Sequence, residues 1–149
     1  MIRISNLACL FIFVLFGAVG CGSNREERIA LATVALDDSI QLKQALSSER
    51  KCPTQLKGWE PDPDDMPGVL KKTFLGTPNN GYMLHFRCEQ DRQHFSITVH
   101  YSFDDHVSVS GGFDGPLELM YGHFTDAKKM VVPAQPNIPA LAELLAYGN

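Results

Sequence analysis

Near the middle of this chain the spacing of apolar residues changes from a helical period to a strand period. Between about Ser23 and Ser48 the chain is rich in helix formers and lacks Gly and Pro, and Ser23-Asn24-Arg25-Glu26 has the form of a capping box. On a helical wheel the apolar side chains fall within one half: Ile29, Leu31, Ala32, Ala35, Leu36, Ile40, Leu42 and Leu46. This segment therefore predicts a long amphipathic helix that covers an apolar surface.

The second half of the chain alternates apolar and polar residues, which is typical of strands with one buried face and one wet face. The segments with this pattern or its fragments are 72–75, 82–88, 95–101, 107–110 and 117–124. Turn residues separate successive strands at Asn79-Asn80-Gly81 and at Phe103-Asp104-Asp105. Ile138 to Tyr147 follows a proline-rich stretch and predicts a short C-terminal helix. We therefore expect an α+β domain, with the long helix packed on an antiparallel meander of about four to five strands.

Composition and charge limit the class of protein. The chain has 149 residues, 44% hydrophobic and 9% aromatic, with 13 Lys and Arg against 17 Asp and Glu. These values exclude collagen, a coiled coil, a polar disordered tail and a polytopic membrane protein, and they allow one compact domain. Because neutralising phosphates needs clustered basic residues, we expect no nucleic-acid partner.

The N-terminus has the three parts of a secretory signal: a positive end at Met1 and Arg3, an apolar run from Leu7 to Val19, and small residues before Cys21. The run is shorter than the roughly 18 residues that a spanning helix needs. Ala18-Val19-Gly20-Cys21 resembles the signal of bacterial lipoproteins, although Ala18 stands where that class most often has Leu. The resemblance implies that Cys21 is acylated and becomes the new N-terminus.

This leader predicts the domain organisation and the location. Residues 1–20 would be a signal peptide, and 21–149 a single envelope domain that is lipid-anchored at Cys21 and faces the periplasm. In bacterial lipoproteins an Asp after the cysteine is often a signal for retention in the inner membrane, and Gly22 follows Cys21 here. The resemblance therefore implies the outer membrane in a Gram-negative host. The alternative is a secreted soluble protein, cleaved near Gly20 or Gly22.

The cysteine count is consistent with export. Cys9 would be discarded with the leader and Cys21 would carry the lipid, which leaves Cys52 and Cys88. In an oxidising compartment these two should form a structural disulfide, closing a 37-residue loop. Catalytic or metal-binding thiols are disfavoured, because neither cysteine lies in a C-x-x-C motif or near a histidine at ligand spacing.

Two groups of residues are candidate sites. If the strands on either side of residues 101–105 pair with residue numbers that sum to 206, His100 lies opposite His106, with Asp104 nearby, and the three could hold zinc. A sum of 208 keeps the same apolar face but places His100 opposite Ser108, so the sequence leaves the register open. Ordinary polar side chains on a wet face are the alternative to a metal site.

The second candidate is a stiff loop that combines an aromatic residue with carboxylates between prolines. It contains five possible partner contacts: Trp59, Glu60, Asp62, Asp64 and Asp65. An aromatic side chain surrounded by charge is a plausible docking point for a basic partner. A solubilising surface loop is the simpler interpretation.

The sequence contains no catalytic signature, since there is no G-x-S-x-G elbow and no phosphate loop that leads into a helix. We expect neither an enzyme nor a cofactor. The sequence favours an envelope lipoprotein that acts as a non-catalytic interaction or assembly accessory module close to its membrane, and we expect an envelope protein as its partner. The alternative is a periplasmic protein that binds a metal or a small ligand through His100 and His106.

Overall fold

The computed structural model describes residues 25–64, 68–77, 80–101, 106–122 and 124–147. Helix α1 spans Arg25–Glu49, α2 spans Ile138–Tyr147, and a 3-10 turn lies at Phe124–Asp126. The strands are β1 Glu60–Pro61, β2 Val69–Thr77, β3 Asn80–Glu89, β4 His94–His100, β5 His106–Gly112, β6 Leu117–Tyr121 and β7 Lys128–Val131. The predicted signal peptide, Cys21 and the predicted turn at 103–105 lie outside the described residues.

The seven strands form one antiparallel meander in which each strand pairs with the next, from β1 to β7. The α+β architecture is therefore confirmed, but the expectation of four to five strands is wrong. Both strands that the sequence analysis missed lie at the edges of the sheet. β1 has only two residues in a proline-rich segment, and β7 begins with two lysines, so neither carries a detectable alternation.

Helix α1 lies with its apolar stripe on the sheet, as its wheel predicts. Leu31, Ala32, Leu36 and Leu46 are among its buried residues, and one polar residue, Ser39, is buried with them. Arg50 follows the helix with φ of 52°, the left-handed conformation that commonly ends helices. Within the described part of the chain, no helix combines the length with the apolar run that a bilayer crossing requires.

Both helices contribute to one hydrophobic core on a single face of the sheet, which we call the covered face. Its strand residues are Leu70, Leu84, Phe86, Phe95, Ile97, Val99, Val107, Val109, Leu117 and Leu119. Leu36 of α1 and Leu145 of α2 are fully buried in the same core. The opposite face, which we call the open face, carries the polar residues of the alternation.

The predicted disulfide between Cys52 and Cys88 is present, with 5.7 Å between the two Cα atoms. It joins the segment that follows α1 to the end of β3. The side chain of Gln90 strengthens the same junction, because its amide oxygen accepts a hydrogen bond from the N–H of Cys52 and its amide nitrogen donates to the carbonyl of Arg50. The C-terminal end of α1 is therefore fixed to the sheet by a covalent bond and by hydrogen bonds.

The N-terminal end of α1 is fixed by a different set of contacts. Arg25 forms an ion pair with Glu143 of α2 at 2.6 Å. The guanidinium of Arg28 lies 4.4 Å from the ring centroid of Tyr101, and the Tyr101 hydroxyl donates a hydrogen bond to the Arg28 carbonyl. Because Tyr101 directly follows β4, this end of α1 lies beside the last residue of that strand, His100.

Candidate functional site

The open face contains a shallow cavity of about 280 Å³ in the middle strands of the sheet. Side chains from β3, β4, β5 and β6 line it: His85, Arg87, Ser96, Thr98, His100, His106 and Met120. They converge because alternate residues of neighbouring antiparallel strands point to the same side of the sheet. Six of the seven side chains carry nitrogen or hydroxyl groups, so the cavity is suited to polar recognition.

The register of β4 and β5 places His100 directly opposite His106, which corresponds to the pairing sum of 206. The two ring centroids lie 5.9 Å apart. A third imidazole, that of His85 on β3, lies 5.5 Å from His100 on its other side. We call these three residues the histidine row. His85 could not be predicted from the sequence, because only the register between β3 and β4 brings it beside His100.

A buried carboxylate lies against the outer end of the histidine row. The Oδ2 atom of Asp62 is 3.2 Å from Nε2 of His85, and the Asp62 side chain is only 7% exposed. Its other oxygen, Oδ1, lies 3.9 Å from the ammonium of Lys71 and accepts a hydrogen bond from the Asp64 N–H. Asp62 is thus held by the loop that follows β1, and its negative charge faces an imidazole rather than solvent.

The surroundings of the central imidazole of the row favour its neutral form. Burial, followed by the charges of His85 and His106, lowers the pKa of His100 below its usual value. A neutral imidazole has a free lone pair on one ring nitrogen, so His100 can accept a hydrogen bond or bind a cation.

The open face carries charges of both signs among the described residues. Lys71 and Arg87 are neighbours of the histidine row, and Lys129 pairs with Met120 at the far side. Besides Asp62, three carboxylates lie on the same face: Glu60 opposite Lys71, Glu89 opposite His94 and Glu118 opposite Ser110. The lining of the cavity itself contains the guanidinium of Arg87 and no carboxylate of the described residues.

The structure separates the residues of the Trp59 loop, which the sequence analysis grouped as one possible contact surface. Trp59 is only partly exposed, packing edge-on against Phe86 with 6.1 Å between ring centroids. Asp62 points to His85, whereas Glu60 and Asp64 are exposed. Asp65 lies outside the described residues. Trp59 thus belongs largely to the margin of the core.

The strand register that the zinc hypothesis requires is present, but one of its three proposed ligands lies outside the described residues. Asp104 lies outside the described residues, so its position relative to His100 and His106 is not part of the geometry. Across the described ranges, no three His, Cys, Asp or Glu side chains are already arranged to hold a metal ion. Zinc binding by this pair remains a prediction.

Compared with protein-family models, with the curated proteins and with the solved structures, the chain matches none.

Proposed function

We propose that this protein is a lipid-anchored envelope lipoprotein, and that it acts without catalysis as an accessory module that holds a protein partner against its open face, close to the membrane. The observation that carries the proposal is the asymmetry of the sheet. Both helices pack on the covered face, while the open face presents a cavity with six polar side chains.

The length of the tether supports a position close to the membrane. Only residues 22–24 separate Cys21 from Arg25, where α1 begins. Four residue steps span at most about 14 Å. The first turn of α1 is itself fixed to Tyr101 and Glu143. A lipid on Cys21 would therefore keep this end of the domain, including His100, near the headgroups of the bilayer.

The charge of the open-face cavity indicates the chemistry of the partner. Arg87 lines this cavity, and no carboxylate among the described residues does. Three carboxylates of the same face, those of Glu60, Glu89 and Glu118, lie outside the cavity. Interfaces place charges of opposite sign against one another, which speeds association and excludes wrong partners. We therefore propose an envelope protein that places an acidic group against this cavity, and a complex that weakens as salt rises.

Lipidation is tested by labelling growing cells with a fatty-acid analogue and measuring the mass of the mature N-terminal peptide. The proposal expects an acylated Cys21 as the first residue, and no label in Cys21→Ser. A soluble product that begins near Gly22 would contradict the anchor and leave the secreted alternative.

The contact surface is tested by site-specific photo-crosslinking in intact cells. A photoreactive residue at Thr98 lies within the open-face cavity, and one at Gln41, on the exposed side of α1, is the matched control. The proposal expects one stoichiometric partner with an acidic surface, captured from position 98 but not from 41, and lost in Cys21→Ser. Equal capture from both positions, or capture from 41 alone, would contradict it.

A further inference from the structure

We propose that the histidine row binds a divalent transition-metal ion of the kind that prefers imidazole ligands, such as Zn²⁺ or Cu²⁺, with His100 as the central ligand. The site would use residues from three adjacent strands and the buried carboxylate beside them. This inference does not rest on the proposed function, because an accessory module needs no metal, and each can fail without the other.

The spacing of the rings is the first argument. Two imidazoles on one tetrahedral zinc ion, at Zn–N distances of about 2.0–2.1 Å, have ring centroids about 5 Å apart. In the histidine row the two neighbouring pairs are at 5.5 and 5.9 Å. Each pair is therefore within about 1 Å of the chelating distance.

His100 is the residue common to both pairs, so its position decides the site. His106 lies directly opposite it on β5, where cross-strand side chains approach most closely. His85 lies opposite Thr98, two residues along β4, and approaches His100 diagonally. Since no three ligands among the described residues already surround one point, the ion would bind first to one pair, and the third ring would reach it by turning toward His100.

Asp62 provides the second argument. Metal-binding histidines generally have one ring nitrogen directed at a carboxylate, which fixes the ring and makes the other nitrogen a better ligand. Asp62 Oδ2 lies 3.2 Å from His85 Nε2, at ion-pair distance but without hydrogen-bond geometry. A small rotation of either side chain would turn this contact into a hydrogen bond and leave Nδ1 of His85 for the ion. Asp62 is thus a positioning residue rather than a ligand.

The test is calorimetric titration of Zn²⁺, and of Cu²⁺ with its visible absorption spectrum, into the protein as purified from cells, in detergent if it is membrane-bound and in buffer if it is not. The protein is purified without a histidine tag and with Cys52–Cys88 oxidised. The proposal expects saturable binding of one ion, loss of that binding in His100→Ala, and a loss of at least about tenfold in His85→Ala and His106→Ala. Asp62→Asn should weaken binding by about 10-fold to 100-fold, the usual effect of removing a supporting carboxylate.

His94→Ala is the matched control, because His94 lies on the same strand and the same face, about 20 Å from His100 along β4. This variant should bind as tightly as the unchanged protein. Far-UV circular dichroism confirms that each variant is folded, and His100→Gln replaces His100→Ala if the latter is not. Absence of saturable binding, or equal losses in the His94 and His100 variants, would overturn the proposal.

Discussion

The two faces of the sheet arise from the same alternating sequence. They differ in which interactions determine the neighbours of each side chain. On the covered face Phe86 and Phe95 belong to a core that apolar side chains from both helices complete, and close packing determines their positions. On the open face the neighbours of His100 are set only by strand register. Apolar alternation therefore specifies what is buried, whereas the arrangement of polar groups depends on which residues the strands pair.

The largest expected effect comes from two residues of β3 that point to opposite faces. Phe86→Ala removes a fully buried ring that contacts Trp59 and Phe95, and it should lower the free energy of unfolding by about 3–5 kcal/mol. Met83→Ala removes a side chain that is 43% exposed, and should cost less than about 0.5 kcal/mol. Urea denaturation measures both. Equal losses would break the comparison, because the open face would then be buried too.

Loss of the disulfide should have the next largest effect on stability. It tests whether α1 needs a covalent link to the sheet in order to stay packed on the covered face. Replacing both Cys52 and Cys88 by Ser should lower the free energy of unfolding by about 2–4 kcal/mol, because the unfolded chain regains the freedom of the loop. Chemical denaturation with and without reductant measures it, and reductant should leave the double variant unchanged. An unfolding midpoint insensitive to both changes would show that the helix and sheet stay together without the link.

Much of the covered face could be predicted from the sequence. The helical and strand periods correctly separated α1 from the sheet, and the positions of Phe86, Phe95 and Ile97 in the core follow from alternation alone. The edge strands β1 and β7 could not be predicted, since pairing at an edge requires neither length nor alternation.

The histidine row could be predicted only in part, for a reason that is geometric. Shifting one strand by two residues keeps every side chain on its own face, so alternation is equally consistent with His100 opposite His106 or opposite Ser108. The contribution of His85 depends on a second register, between β3 and β4. That of Asp62 depends on the path of a proline-rich loop, which no periodicity describes.

A smaller effect, of opposite sign, concerns a polar group on the apolar side of α1. The Ser39 hydroxyl is fully buried and has no hydrogen-bond partner among the residues that the structure describes. Ser39→Ala removes this unsatisfied group and adds helix propensity, so we expect a gain of about 1 kcal/mol in the free energy of unfolding. Thermal and urea denaturation test this. A loss of stability would mean that the hydroxyl has a hydrogen-bond partner, and that the covered face includes a buried polar contact.

The smallest effect compares two ion pairs that both hold α1. Lys72 of β2 reaches Asp38 at 2.7 Å with side chains 31% and 20% exposed, and its ammonium lies 5.7 Å from the Trp59 ring centroid. Arg25 and Glu143 form an equally short pair with side chains 68% and 54% exposed.

Since water weakens ion pairs, double-mutant cycles should give about 1 kcal/mol of coupling for the first pair and less than about 0.5 kcal/mol for the second. Salt at 1 M should remove most of the second coupling but less of the first, on a Debye length of about 3 Å. Equal couplings would mean that the Lys72–Asp38 pair is as well hydrated as the exposed pair. The apolar core of the covered face would then end before it reaches Lys72.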